Sequence, residues 1–552
     1  MDPQTLLAVN YLQRLLAGEP VKEPDTRLYN GFGDHLHILW ETAQQHGPTA
    51  ARQAFDAMKR ADHALLILDQ AKEDLYPCDL NLDENAFKKL TEYEYTEAGQ
   101  GEAFSYLFSD RLRFVPGVGW FIWNGLRWAK DDGREAVIQW AIIAARARRS
   151  ALRQLPSPDG DNVEDQVAQR KAAHKWTLGA ENAGRIRNSI GLGKTVPDMI
   201  TTHDEFDRDA HLIGVANGIV DLRSGHLLEP APERYITMLA SVPYFPEAKA
   251  ARWERFILEI CNDDPELAAY LQRAIGYSLT GDTSEQCFFL CYGVGANGKS
   301  TLLNVLKALT GEYSANTPFS TFEAGKQSNT GQEVVGLIGK RVVFSSETND
   351  NTRLNEARIK ALTGGDEFTG RFLYQPSTVT FKPKFKIWLA ANHKPTITGG
   401  DEGIWRRVRL IPFLVSFPPD KRDKHLETML LKELTGILAW AVRGAMAWYS
   451  QGLGEPLAVE SATQAYREDS DILGQFLNEY TLTGEHMTAK AGSLYEAYKE
   501  WVEDNGLYQL SNVKFSRAME ERGFEKVRHS HGRIWLGIGL RAEERLYANP
   551  DK

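Results

Sequence analysis

Cysteine is scarce, with four thiols in 552 residues: Cys78, Cys261, Cys287 and Cys291. Their spacing matches neither a disulfide framework nor a paired metal knuckle, so a stapled fold and a zinc ribbon are excluded and a reducing cytoplasm is expected. Long apolar runs are missing as well. No stretch approaches the ~20 residues that a membrane span needs, and the opening MDPQTLLAVNYLQ lacks a signal-peptide layout. Low-complexity blocks and internal repeats are also absent, which argues against a solenoid. What remains is an ordinary globular composition, 42% hydrophobic and 25% charged, long enough for several domains.

Positive charge is short overall, with a net charge of −10. Spread evenly, that balance would disfavour nucleic acid. It is not spread evenly. Residues 1–110 hold 9 Lys and Arg against 19 Asp and Glu, whereas residues 340–415 hold 13 against 7. The acidic N-terminus masks a basic segment, and nucleic acid stays a plausible partner.

Five regions are expected. Residues 1–103 form an acidic helical region, with helical spacing in AARQAFDAMKRADHALLILDQAKEDL and a break at Pro77. Residues 104–248 form an α/β module in which RFVPGVGWFIWNGLRWAKD and NGIVDLRSGHL read as hairpins. A central α/β core spans 249–455, a helical linker 456–484, and a small terminal domain 485–552. GLGKT at 191–195 imitates the end of a phosphate-binding loop, but Asn188 stands where its first glycine belongs, so it is rejected. DGD at 159–161 reads as a solvated loop, and His529 with His531 as a solvated tip without further ligands.

The chemistry begins at CYGVGANGKSTLLNVL, residues 291–306. Gly293, Gly295 and Gly298 followed by Lys299, Ser300 and Thr301 give the spacing G-x-x-x-x-G-K-S of a nucleoside-triphosphate P-loop. The apolar QCFFLCYG suits a buried strand before it, and a helix closed by Gly311 follows. Backbone N–H groups from Gly293 through Asn297 would curl round the phosphates, with the helix N-terminus adding its positive dipole end. Lys299 would reach the β- and γ-phosphates of ATP and the Ser300 hydroxyl would ligate Mg²⁺.

Two further strands complete such a site. GKRVVFSSETND ends a buried strand at Glu347, which is placed to serve the metal and to act as general base. FKIWLAANHKP ends in Asn392, an amide able to hold the attacking water near the γ-phosphate. DEGIWRRVRLIPF then presents Arg406 and Arg407 together. In one subunit these read as surface charge; in a ring either could reach the neighbour's γ-phosphate as an arginine finger.

The order P-loop, strand-Glu, strand-Asn, paired Arg resembles superfamily 3 helicases, and most closely the phage/plasmid primase family related to the poxvirus helicase–primase. SSETND, LTGGDEFTGR, FKPKFKIWLAANHKP and DEGIWRRVRLIPF are similar to that family's helicase motifs, WERFILEIC and YLQRAIGYSLTGDTSEQ to its preceding module, and residues 485–540 to its terminal winged helix. The resemblance covers about 450 of the 552 residues. It implies an α/β fold with an AAA+-like P-loop core, a helical N-terminal region, an α/β module and a winged helix. It also implies a hexameric ring moving 3′ to 5′ on single-stranded DNA, in a bacterial cell, from a phage, prophage or plasmid. A primase domain has no room ahead of residue 104, so a separate primase or polymerase is the expected partner.

In that superfamily a hairpin between the Glu and Asn strands tracks DNA. DEFTGRFLYQPSTVTFKPKFK fits it, with Arg371, Tyr374, Lys382 and Lys384 as candidate contacts. In the terminal domain, SNVKFSRAMEERGF suits a recognition helix bearing Lys514 and Arg517, and EKVRHSHGRIW a wing bearing Arg528 and Arg533, for duplex or forked DNA. The rival readings are an ATP-assembled replication initiator and a scaffold that recruits the primase or polymerase.

Overall fold

The computed structural model describes residues 40–45, 47, 49 and 82–541, apart from 132, 134, 159–161, 326–330, 347–351, 372–377, 398–401, 508 and 530–531. Most of the acidic region 1–103, the expected helix around residues 51–75 included, therefore lies outside the described residues. So does the DGD loop.

The first described module packs helices α1 (Glu84–Glu92) and α2 (Glu97–Phe108) against a meander of β1 (Leu112–Val115), β2 (Gly119–Trp123) and β3 (Trp128–Lys130), followed by helices α3 (Glu135–Gln154), α4 (Val163–Gly179) and α5 (Ala183–Gly193). The aromatic-rich stretch read as a hairpin is thus three-stranded. Phe104, Phe108, Trp120 and Trp140 form its core. The expected boundary at 103/104 falls inside α2, because α1 and α2 are tied to this module. Leu90 and Ala103 pack on Ala147 and Ala151 of α3. Arg148, almost fully buried, donates to the carbonyls of Leu90 and Tyr93 and lies over the ring of Tyr95 at 4.9 Å. Burial lowers its pKa to about 10. The rejected GLGKT ends α5, where Gly193 meets Gly101 of α2 backbone to backbone, a helix contact that a Cβ would break.

A second meander, β4 (Leu212–Val215), β5 (Gly218–Asp221) and β6 (His226–Leu228), shares one core with helices α6 (Ala251–Ile260) and α7 (Pro265–Leu279) and with the helix of the P-loop. It therefore packs as part of the central core, although the sequence places it before residue 249. Five parallel strands make the central sheet: β7 (Phe288–Tyr292), β8 (Ser314–Asn316), β9 (Val342–Ser346), β12 (Lys386–Ala391) and β13 (Val408–Pro412). Their order is β13-β7-β12-β9-β8. Both faces are covered, which is why these strands are nearly continuous in apolar residues. Phe289, Cys291, Phe344 and Trp388 point into one core, and Phe288, Leu290, Val343 and Ile387 into the other. The P-loop helix α8 (Lys299–Thr310) lies over the first face, as does the long helix α9 (Leu434–Gln451). Between β9 and β12, β10 (Phe368–Arg371) pairs antiparallel with β11 (Thr378–Phe381).

The expected linker is part of the core. Helix α10 (Leu457–Ser470) packs along β13, with Tyr466 buried against Trp405 and its hydroxyl donating to the Pro395 carbonyl. The terminal domain begins with α11 (Ile472–Tyr480) and β14 (Thr481–Lys490). Helices α12 (Ala491–Asp504) and α13 (Asn512–Glu521) follow, then β15 (Lys526–His529) and β16 (Gly532–Leu540) in an antiparallel sheet ordered β14-β16-β15. Its core is Phe476, Tyr498, Phe515 and Trp535. Among the described residues no helix is long and apolar enough to cross a membrane.

Candidate nucleotide site and nucleic-acid surfaces

The loop after β7 owes its path to its glycines. Gly295 and Gly298 both sit at φ 86, in the left-handed region that a side chain disfavours. At Gly293 a Cβ would strike the Phe413 carbonyl and the Asn297 amide. Asn297 is buried and donates to the Phe413 carbonyl at 3.2 Å, which holds the loop against the chain leaving β13. Gly298 caps α8, so the free N–H groups of the first turn face the loop's hollow.

Lys299 is buried, and its ammonium donates to the Gly293 carbonyl and to Asn392 Oδ1, the latter at 3.2 Å. Desolvation lowers its pKa. Residues 299 and 392 meet because the sheet order sets β12 directly beside β7, with Ala391 paired to Tyr292. Ser300 stands exposed at the start of α8 and Thr301 is half-buried. An exposed hydroxyl beside free helix N–H groups fits a Mg²⁺–phosphate ligand set, in which phosphate oxygens and water supply most of the shell. Glu347 lies outside the described residues. The strand that precedes it, β9, is formed and pairs with β12 on the side away from β7.

Arg406 and Arg407 differ sharply. Arg407 is 6% exposed, and its guanidinium donates to Thr363 Oγ1 at 3.1 Å and to the Gly403 carbonyl at 2.5 Å. It is a packing residue, which corrects its place among the catalytic candidates. Arg406 is exposed, with a long 3.5 Å contact to Gln286 Oε1. It also lies at the wrong end of the sheet for its own P-loop. Val408 pairs with Phe288 and Pro412 with Tyr292, so Arg406 stands below the foot of β7 while the loop springs from its head. Five residue steps lead from Phe288 to Gly293, roughly 16 Å at ~3.3 Å each.

In the hairpin β10–β11, Arg371 is exposed at the end of β10, opposite Thr378. Tyr374 falls in the turn, outside the described residues. Lys382 is exposed. Lys384 is corrected: its ammonium turns inward and donates to the Asp207 carbonyl at 2.9 Å, and burial lowers its pKa. It belongs to a group that sequence reasoning missed. Lys386 is 1% exposed and donates to the carbonyls of Thr280, Asp282 and Lys384. Arg341, just before β9, donates to the carbonyls of Leu279 and Leu212 and lies over Tyr313. Their only sequence signal is a cation at the mouth of an apolar strand, where a solvated base would not be expected.

In the terminal domain Lys514 and Arg517 are exposed on α13, the latter paired with Glu521 at 3.0 Å. Arg528 and Arg533 are exposed and sit directly opposite each other across β15 and β16. Two like charges so placed repel. A groove of about 810 Å³ gathers Asn512, Ser516, Arg517, Lys526 and Arg533.

Three family models match in chain order: D5 N terminal like over residues 101–262, a family of unknown function over 291–407, and poxvirus D5 protein-like over 468–535. The chain is 28% identical over 443 residues to "Putative helicase L207/L206" of Acanthamoeba polyphaga mimivirus, covering 74% of this chain and 46% of that one. It is 26% identical over 349 residues to "Putative primase C962R" of African swine fever virus, covering 57% and 35%. The chain thus spans half the length or less of these relatives. Both come from viruses of eukaryotes, so the expected bacterial phage or plasmid setting finds no support in them. Among solved structures, the NrS-1 C-terminal region aligns with a TM-score of 0.36 and 12% identity, over 53% of this chain and 78% of that one.

Proposed function

Since the chain belongs to the superfamily 3 helicase–primase family of the D5 type, we propose that it is an ATP-driven replicative DNA helicase acting as a ring, with a hexamer as the expected size. The carrying observation is the contact of Lys299 with Asn392 at the junction of the P-loop strand and its neighbour. It joins a phosphate-binding cation to an amide that can orient water at the same phosphate.

Lys299 holds the β- and γ-phosphates, and Asn392 shares its amine until the γ-phosphate arrives. Glu347, beyond the end of β9, takes the proton of the attacking water. Mg²⁺, held through Ser300 and Glu347, would offset the charge that gathers on the phosphate oxygens. Arg406 cannot reach the phosphates of its own subunit and is assigned to the neighbour's, which makes hydrolysis depend on ring closure.

Arg371 and Lys382, with Tyr374 in the turn, are assigned to single-stranded DNA in the channel. Movement from 3′ to 5′ rests on the family alone. The terminal domain, with its three helices and basic hairpin, is read as a winged helix that meets duplex at the fork. The groove holding Arg517 and Arg533 also supports the initiator reading, in which ATP chiefly assembles the ring on origin DNA. A separate primase or polymerase remains the proposed partner of either form.

Unwinding of forked DNA with a 3′ or a 5′ tail, wild type beside Lys299→Ala, tests the proposal. Unwinding from the 3′ tail that the variant abolishes supports the motor. ATP hydrolysis without unwinding on either fork moves the weight to the initiator.

A further inference from the structure

Two of the most exposed large apolar side chains in the described structure, Val294 at 89% and Leu414 at 77%, lie beside the P-loop. Their neighbourhood is built. Leaving β13, the chain runs in step with the loop: Phe413 N donates to the Tyr292 carbonyl at 2.8 Å, and Phe417 N to the Ala296 carbonyl at 2.8 Å. Asn297 closes the run from the other side through its bond to Phe413. Val294 and Leu414 therefore sit on adjacent tracks that backbone bonds hold at both ends.

The sheet order fixes which end of a nucleotide meets them. Asn392 and the strand leading to Glu347 lie on one flank of β7, and β13 lies on the other. A triphosphate with its γ end at Lys299 and Asn392 must trail its nucleoside away from β12, toward residues 413–417. An aliphatic surface that costs free energy in water, next to phosphate donors, suits the flat face of a base.

We propose that Val294 and Leu414 form the shelf on which the purine base of the nucleotide rests. This rests on the nucleotide site proposed above. The shelf engages the base by its apolar face. It adds affinity for nucleosides over bare polyphosphate.

Steady-state hydrolysis by wild type, Leu414→Asn and Leu414→Met tests it, with inorganic tripolyphosphate as competitor. Leu414→Asn, which removes the apolar contact without adding charge, should raise the KM for ATP roughly tenfold. The inhibition constant of tripolyphosphate, which has no base, should not move, and Leu414→Met should restore the wild-type KM. An unchanged KM in Leu414→Asn overturns the shelf. So does an equal rise for ATP and tripolyphosphate, which would mean damage to the phosphate loop, or loss of the ring by sedimentation, which would make Leu414 a subunit contact. Failure of wild type to hydrolyse ATP would instead overturn the nucleotide site itself.

Discussion

Arg406 and Arg407 are neighbours in the chain with opposite fates, and replacing each by alanine should separate stability from catalysis. At Arg407 the change removes a buried guanidinium and two hydrogen bonds, leaving Thr363 and the Gly403 carbonyl without their donor. Breaking buried charged hydrogen bonds and opening a cavity together cost about 3–4 kcal/mol. In a domain of this size each kcal/mol shifts Tm by roughly 2–4 °C, so Arg407→Ala should melt about 6–16 °C lower. At Arg406 the guanidinium makes one long contact among the described residues, to Gln286 at 3.5 Å. Its removal should change stability by no more than about 0.5 kcal/mol. If Arg406 completes the neighbour's site, kcat for ATP should nonetheless fall by about a thousandfold. Thermal melting beside DNA-stimulated ATP hydrolysis reads both effects. Mixing decides the geometry: Lys299→Ala and Arg406→Ala subunits, each inactive alone, should regain hydrolysis together, because some interfaces pair an intact P-loop with an intact finger. Full activity of Arg406→Ala, or wild-type melting of Arg407→Ala, refutes the assignment. No recovery in mixed rings of normal size refutes the sharing of sites.

Asn392→Ala should lower kcat for ATP by about a hundredfold with KM changed less than threefold, measured in steady state; a purely binding effect would count against the water-orienting role. Burial pushes the thiols of Cys261, Cys287 and Cys291 up to about 12. At pH 8 only about one in ten thousand of these groups is thiolate, so native protein should leave all three unalkylated by iodoacetamide while denatured protein reacts, as read by mass spectrometry. Rapid native labelling would show that these strands open readily. Arg533→Ala should weaken duplex DNA binding and reduce the salt slope by about one, in titrations across salt concentrations. An unchanged slope would remove the groove from the DNA interface.

The candidate loop and the strands around it were legible because their parts are local. Glycine spacing dictates a left-handed loop, and an apolar strand before it needs no distant information. Asn392 could be read the same way, as the polar end of a buried strand, and β10 and β11 from their alternation. What the sequence hid was decided by packing across the chain. Arg406 and Arg407 are chemically identical, and only the position of Thr363 tells which is enclosed. Lys384 reads as a hairpin cation until Asp207, far away in sequence, claims it. The boundary expected at 103 failed for the same reason, since Arg148 reaches back to the loop around Tyr93. Buried cations were missed because composition arguments treat charge as surface.

The cations at the foot of the central sheet have a mechanical consequence. Arg341 and Lys386 stand at the starts of β9 and β12, the two strands whose far ends lead to Glu347 and Asn392. Through the carbonyls of Leu212, Leu279 and Thr280 they fasten those strands to the second meander and to the end of α7. One end of each strand is thus anchored and the other leads to the candidate site. Displacing the anchored ends would tear charged groups from their acceptors. The hairpin β10–β11, which lies between these same two strands in the chain, carries fewer buried residues than either and is the freer element. A fragment cut at residue 249 would keep every sequence motif of the core, and the Leu279, Thr280 and Asp282 acceptors with it, yet lose the Leu212 carbonyl and the Asp207 carbonyl that engages Lys384. Half of its footing would be gone with no motif missing.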